Sequence, residues 1–504
     1  MQITSNIFIL FLLISLLIYY IVPKKMQWIV LLVISYVYYL YASVPAVFFL
    51  LYATVVTYVC TLLIEKVNAS GAGKNRARGI LILGLVLDFG MLFLLKYSNF
   101  VVLNIRSLLR LDVPLLKLLL PLGISYYTFS SAGYVLDVYW GRTKAERNFL
   151  KVALFVSFFP QMLQGPINRF ERLGQTLFAE HAFSLHRTKL ALERIAWGVF
   201  KKMVLADWAG VYVETIFANP DQYSGIILLG QLLYAVQLYG DFAGGIDVMI
   251  GVAQLFGVTL DENFNQPYFA TSLADFWRRW HMTLGLWMKD YVMYPLTLSK
   301  GMNRIGKACK KKLGRKKGRL IPICLSNIIV FLLVGIWHGS GWGYIIWGLY
   351  NGLIIAFSNY FASNFMAVKE KLHISDTAAW WHIFMVIRTF IITMVGNYVD
   401  LTDSFREMLK MMKYALTRFE PGQILTISSG KLGTAFTPYA LLILFAGCLL
   451  WFIVSFIRER GVNIYERLNT WPLAAQYVLF LILVIAIPVL SPMSMARGFI
   501  YAQF

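Results

Sequence analysis

Two histidines stand where proton chemistry is plausible. In "GIWHGSGWGYIIWG", His338 closes an apolar run and is followed by Gly339, Ser340, Gly341 and Gly343, which should unwind a helix. In "DFWRRWHMTLGLWMKDY" (275–291), His281 sits among two arginines, a lysine, two acids and three tryptophans. Imidazole titrates close to neutrality, and burial favours its neutral form, which can take a proton from an alcohol as a general base. An ionisable residue in apolar surroundings is a functional candidate by default. For His338 the alternative is a short outer-surface turn with a solvated ring. Read as one helix, 275–291 pairs Asp275 with Arg279 four residues on. Phe276, Trp280, Leu284, Trp287 and Tyr291 then form an apolar stripe, and Arg278, His281, Gly285 and Lys289 line another face. The alternative is an amphipathic anchor at the membrane interface, which has no need of an imidazole.

Two further polar clusters interrupt apolar sequence. "FFPQMLQGPINRF" (158–170) combines Pro160 and Pro166 with Gln161, Gln164 and Asn168, predicting a broken, cavity-facing segment. "YAVQLYGDFAGGIDVMIG" (234–251) sets Gln237, Asp241 and Asp247 beside Gly240, Gly244 and Gly245. Asp241 and Asp247 are six apart and would not share a helical face, which argues against paired catalytic carboxylates and for buried acids that hold helices together. Cys60, Cys309, Cys324 and Cys448 show no CxxC or zinc-type spacing, so neither a metal site nor a disulfide framework is expected.

The elements that must position these groups follow from composition. The chain has 504 residues, 59% apolar and 14% charged, against about 25% charged in soluble domains. Its mean hydropathy is +0.65. Apolar runs cover 7–22, 28–42, 44–64, 80–95, 320–337, 343–357, 440–457 and 474–490, with shorter or interrupted ones between. At roughly 20 residues per span, the reading is an all-α polytopic membrane protein of about eleven transmembrane helices, with re-entrant and interfacial helices. The first run lacks a small-residue cleavage site and a second follows closely, which predicts an anchor rather than a removed signal peptide.

The net charge of +21 is patterned rather than diffuse. Basic clusters at Lys24 and Lys25, 66–78, 142–147, 300–319 and Arg458, Arg460 and Arg467 punctuate alternate connections. The 300–319 block holds ten basic residues and no acidic one. Lysine and arginine mark cytoplasmic loops, so these five blocks are expected inside and both termini outside. That is topology, not nucleic-acid recognition. No repeat or linker divides the chain, so 1–504 is expected to be a single membrane domain, with a basic cytoplasmic loop at 299–319 and an extracytoplasmic or interfacial segment at 398–438. Within the latter, "DSFREMLKMMKYALTRF" spaces Phe405, Met408, Leu409, Met412 and Leu416 as a surface helix. After the basic loop, Pro322 suits a first helical turn. The eighteen residues 320–337 then extend roughly 27 Å, which places His281 near the cytoplasmic face and His338 at the far end.

Taken together and in order, "LPLGISYYTFSSAGYVLDVYWG" (120–141), "FFPQMLQGPINRF", "LYAVQLYGDFAGGIDVMIG", "FNQPYFATSLADFWRRWHMTLGLWMKDYVMYPL" (264–296), "VFLLVGIWHGSGWGYIIWGLYNG" (330–352) and the terminal "FIYAQF" resemble the membrane-bound O-acyltransferase (MBOAT) family. The likeness covers nearly the whole chain and is strongest to the alginate O-acetylase branch, with the teichoic acid D-alanyl transfer branch next. The chain departs from the pattern at "NYVDLTDSFREML", where relatives carry an aromatic-arginine signature, and at Ala502, where an aromatic is common. The resemblance implies a ring of helices around a funnel and transfer of an acyl group through the membrane to an outer hydroxyl. It implies that His338 is catalytic and His281 the second characteristic histidine, with Arg278 and Asp290 as donor-side or structural support. Acetyl-CoA is the implied donor substrate, with no tightly bound cofactor and no metal. Implied partners are acyl-CoA or an acyl carrier protein inside, and a polysaccharide or an extracytoplasmic acyltransferase outside, in a bacterial inner membrane. D-alanyl transfer to teichoic acid is the alternative within the family, and a transporter or channel lined by these polar groups is the alternative outside it.

Overall fold

The computed structural model describes residues 3–71, 73–402, 404–429 and 438–492. Among these, helices form the whole framework, and the one ladder element is an isolated antiparallel bridge between Phe264 and Trp280. Eight described helices are long and apolar enough to cross a membrane, or nine if the bent pair Trp342–Tyr360 and Ala362–Lys371 is one span. The shorter apolar helices Asn6–Ile21 and Phe149–Met162 add to them. The expected all-α polytopic architecture holds. The terminal "FIYAQF" lies outside the described residues.

Two compact units emerge from the packing of the described residues: those up to Val199 with Gly244–Asp261, and Phe200–Ala243 with those from Glu262 to position 492. In the first, Val47–Ala69 buries Thr54, Thr57 and Thr61, whose hydroxyls donate to the carbonyls of Leu50, Ala53 and Thr57 one turn back. This lets a polar stripe sit inside an apolar bundle with its hydrogen bonds made. The stretch 158–170 is broken as expected, into the end of Phe149–Ser157, then Phe159–Gln164, an extended link and the start of Phe170–Leu177. Two of its amides, Gln161 and Asn168, are joined in one buried network. Gln161 donates to Ser130 Oγ at 3.1 Å, and Asn168 donates to Gln161 Oε1 at 3.1 Å while accepting from the Asp261 N–H at 2.9 Å. Asp247 accepts from both Nε and Nη2 of Arg194, at 3.0 and 2.8 Å.

The second unit departs from expectation at 299–319, which is helical rather than a loop. Helix Lys300–His338 is folded at Gly314, whose φ of 80° is one that L side chains avoid. The two arms pack so closely that a Cβ on Gly318 would lie 2.5 Å from Lys310 Cα, and one on Gly306 would lie 3.1 Å from Pro322 Cγ. Pro322 therefore sits inside the second arm, which starts after Gly314, and not in a first turn. That arm crosses Trp342–Tyr360 backbone to backbone. A Cβ on Gly335 would meet Tyr344 O at 2.3 Å, and one on Gly348 would meet Phe331 O at 2.4 Å. As the glycine run predicts, the helix ends at His338, with Gly339 extended.

Phe405–Thr417 forms as predicted, capped by Ser404, whose Oγ accepts from the Glu407 N–H at 3.2 Å. It is fastened by polar residues. Lys410 and Tyr414 both hold Asp221 at 2.7 Å, and Arg418 donates to Ser224 at 3.0 Å. Met411 is buried, while Phe405, Leu409 and Leu416 of the predicted stripe stay exposed.

Candidate active site

The stretch 275–291 is not one helix. Leu273–Arg279 ends at Trp280, Met282–Met288 begins after His281, and a π-helical turn, Lys289–Met293, leads to Tyr294–Thr297. In the first piece Asp275 and Arg279 pair as read from sequence, with Arg279 Nε 3.2 Å from Asp275 Oδ2, and Ser272 Oγ caps the helix by accepting from the Asp275 N–H. The break comes from its neighbours in space. Trp280 is extended and bridges Phe264, and His281 adopts φ 47° and ψ 52°, a left-handed conformation that disfavours a side chain by about 1–2 kcal/mol.

Asn263 compensates for this. Its backbone oxygen accepts from the Met282 N–H at 3.0 Å. Its Oδ1 accepts from the Thr283 N–H at 3.0 Å and from Thr283 Oγ1 at 2.9 Å. His281 Nδ1 faces the same oxygen at 3.2 Å. The predicted polar face containing His281 therefore does not exist, because its ring is buried at 2% exposure.

The rings around His281 lead directly to the second histidine. Phe242 stands edge-on to His281 at 5.0 Å, and Trp337 lies 5.8 Å from it. Trp337 stands 4.9 Å from His338, whose other side meets Trp347 at 5.0 Å. Trp277 Nε1 donates to Asn351 at 3.0 Å and closes the same wall through its edge contact with Trp347. His281 and His338 thus share one buried, aromatic-walled site, instead of lying at opposite ends of a 27 Å run. The chain travels out along Met282–Met288 and the first arm of the hairpin. It then returns along residues 315–338, about 36 Å of helix at 1.5 Å per residue. Thr297 Oγ1 and Ser326 Oγ, 3.0 Å apart, tie the outgoing and returning chains.

Burial, aided by the neighbouring charge of His338, pushes the His281 imidazole down from its ordinary value to about 3. His281 lies outside the spanning helices and is neutral at physiological pH. The unfolded chain's imidazole, near 6.5, binds its proton first as the pH falls, so the native state loses stability from about pH 6.5 down towards about 3. Thermal denaturation at pH 7 and pH 5 should show a proton-linked loss of about 2 kcal/mol in the wild type that is absent from His281→Asn.

Residues 145–308 and 311–396 match the family described as MBOAT, membrane-bound O-acyltransferase family. The probable alginate O-acetylase of Azotobacter vinelandii is 33% identical over 401 residues, covering 79% of this chain and 74% of that protein. That of Pseudomonas aeruginosa is 31% identical over 457 residues, covering 88% and 81%. The teichoic acid D-alanyltransferase of Bacillus subtilis is 30% identical over 288 residues, covering 55% and 68%. The chain belongs to the membrane-bound O-acyltransferase family. It is a multi-pass membrane enzyme that transfers an acyl group from a donor substrate, and both histidines and Asn263 fall inside the matched residues.

The remaining candidates of this O-acyltransferase take other positions. Arg278 has a side chain 71% exposed and pairs with Asp275 at 3.1 Å. Asp290 is half-buried in the π-helical turn. Among the described residues, no group of three or more His, Cys, Asp or Glu is placed to hold a metal ion. Asp241 is a buried, paired acid as predicted. Its partner is Lys202, in the π-helical turn Lys201–Ala206, with Nζ 2.7 Å from Asp241 and 2.8 Å from Asp207. Burial disfavours the ammonium, but the two carboxylates more than offset this and hold Lys202 above its ordinary range.

Sequence reasoning missed Asn263 and Lys202. Asn263 belongs to no period and lies one residue before the quoted piece that begins at Phe264. The available signal was an amide just upstream of a histidine-bearing stretch. Lys202 was legible only as a lysine inside "FKKMVLADW", a polar pair with no neighbouring acid until Asp207.

Proposed function

We propose that this O-acyltransferase takes an acetyl group from cytoplasmic acetyl-CoA and passes it through the membrane for O-acetylation of an exported or cell-surface polysaccharide, with His338 as general base. The observation that carries this reading is the joint burial of His281 and His338 in one aromatic-walled site. In the transfer step the acceptor hydroxyl gives its proton to His338 as its oxygen bonds the thioester carbonyl carbon. The C–S bond then breaks, and the departing thiolate takes the proton back from the imidazolium. Protons balance, and the site needs no net exchange with either face. A general base so placed contributes about 10²–10⁴-fold.

The acceptor class rests on likeness to alginate O-acetylases. The orientation rests on charge: the basic hairpin at the cytoplasmic face raises the local concentration of a polyanionic donor such as CoA. Both termini are then outside, in a bacterial inner membrane, with 1–504 acting as one membrane domain. Arg278 and Asp290 support the donor side, and an extracytoplasmic acyltransferase is the expected relay partner.

The test is purified protein in proteoliposomes, given acetyl-CoA labelled in the acetyl group on the face bearing the basic hairpin. Free CoA thiol and label on an acceptor across the bilayer are expected. Turnover of a D-alanyl carrier thioester, with acetyl-CoA left intact, would replace the donor in favour of the teichoic acid relatives' chemistry. Solute passage without thioester cleavage would make the polar site a permeation route.

A further inference from the structure

We propose that Asn263 is a positioning residue for acyl transfer: it fixes the tautomer of His281 so that Nε2 presents a lone pair to an O–H or N–H of the bound substrate. The proposal rests on His281 belonging to the transfer site as read above. Its argument starts from a backbone group whose role is beyond choice. The Thr283 N–H can only donate, so the Asn263 side-chain atom 3.0 Å from it is the carbonyl oxygen. The same oxygen faces His281 Nδ1 at 3.2 Å. An amide oxygen can only accept, so Nδ1 carries the hydrogen. A neutral imidazole has one N–H, which leaves Nε2 as a bare acceptor.

That acceptor is buried and without a hydrogen-bond partner, as is Asn263 Nδ2. Native proteins rarely leave such atoms unpaired unless a water or ligand completes them. Around the imidazole stand Phe242 and Trp337, which offer ring faces and edges, and His338, the titratable neighbour whose charge it feels. The strained φ of 47° at His281 is held by the same asparagine through the Met282 N–H. One residue therefore sets the backbone, ring orientation and tautomer of His281. With the opposite tautomer, Nε2 would present a hydrogen where the substrate presents one too.

Hydrogen-bond partners that fix the tautomer of a metal-ligating histidine contribute about 10–100-fold to activity, and a partner that fixes the tautomer of His281 is expected to contribute on the same order. Asn263→Ala should lower kcat/KM by that factor, for whichever acyl donor the wild type turns over. A KM rise for the thioester assigns the Nε2 contact to the donor, and a rise for the hydroxyl substrate assigns it to the acceptor. Asn263→Asp keeps the oxygen and adds a charge, so it should retain activity to within several-fold while the acidic limb of its pH profile moves upward. Nitrogen-15 histidine NMR of the wild type should show His281 protonated at Nδ1 and bare at Nε2. A hydrogen on Nε2 would overturn the proposal, as would wild-type kcat/KM in Asn263→Ala. So would losses in both variants that track only the folded fraction, with an unmoved pH profile. If Asn263→Ala does not fold, the aspartate variant and the wild-type spectrum decide. Absence of acetyl-CoA turnover by the wild type counts against the proposed donor and leaves the tautomer test intact.

Discussion

His338→Ala should reduce acyl transfer by about 10²–10⁴-fold, the range a positioned general base supplies. The loss should fall on kcat, because a general base acts on a proton that moves only in the transition state. Alanine also removes a ring packed between Trp337 and Trp347, so a structural failure could imitate a catalytic one. His338→Gln separates them: it nearly fills the space and can hydrogen-bond, but it cannot take a proton. Equal losses in both variants, with wild-type thermal midpoints and wild-type single-turnover binding of acetyl-CoA, place the defect in chemistry. Transfer at the wild-type rate by His338→Gln would remove His338 as the base and leave Nε2 of His281 as the other lone pair in the site.

The spans and the helix end at His338 were legible because both are local. Run length and glycines after a histidine act on their own stretch of backbone. The Asp275–Arg279 pair was legible for the same reason, needing only four-residue spacing. What failed was distance. A helix continuing through Trp280 and His281 is the best local answer, and it is overridden by Asn263, eighteen residues away, whose bonds fit only the broken form. Reading 299–319 as a loop failed because like charges along an exposed hairpin say nothing about whether the backbone is coiled. Tight packing of Gly306 and Gly318 decides it. That one error carried the histidines apart on paper, because a loop followed by a single outward helix has no return leg.

Lys202→Met should be the most destabilising single change outside the site. Lys202, Asp207 and Asp241 have side chains only 3%, 4% and 2% exposed, so water screens none of the three. Removing the cation takes away the ammonium that both buried carboxylates face, and breaking such a pair costs about 3–5 kcal/mol. Isosteric packing by methionine does not reduce that penalty, which belongs to the acids. Fluorescence-detected thermal unfolding in detergent should show a large drop in midpoint for Lys202→Met, and a substantial return in Lys202→Met/Asp207→Asn/Asp241→Asn, where none of the three positions carries a charge. A midpoint unchanged in the single variant would mean that the acids are neutral in the native state. Lys202 lies in a π-helical turn, where the widened backbone ladder is already less favourable than α-helix. The ion network ties Lys201–Ala206 to its neighbours, as does Lys201 Nζ donating to Ala243 O at 3.1 Å, and through Asp241 it holds the helix that supplies Phe242 to the His281 ring.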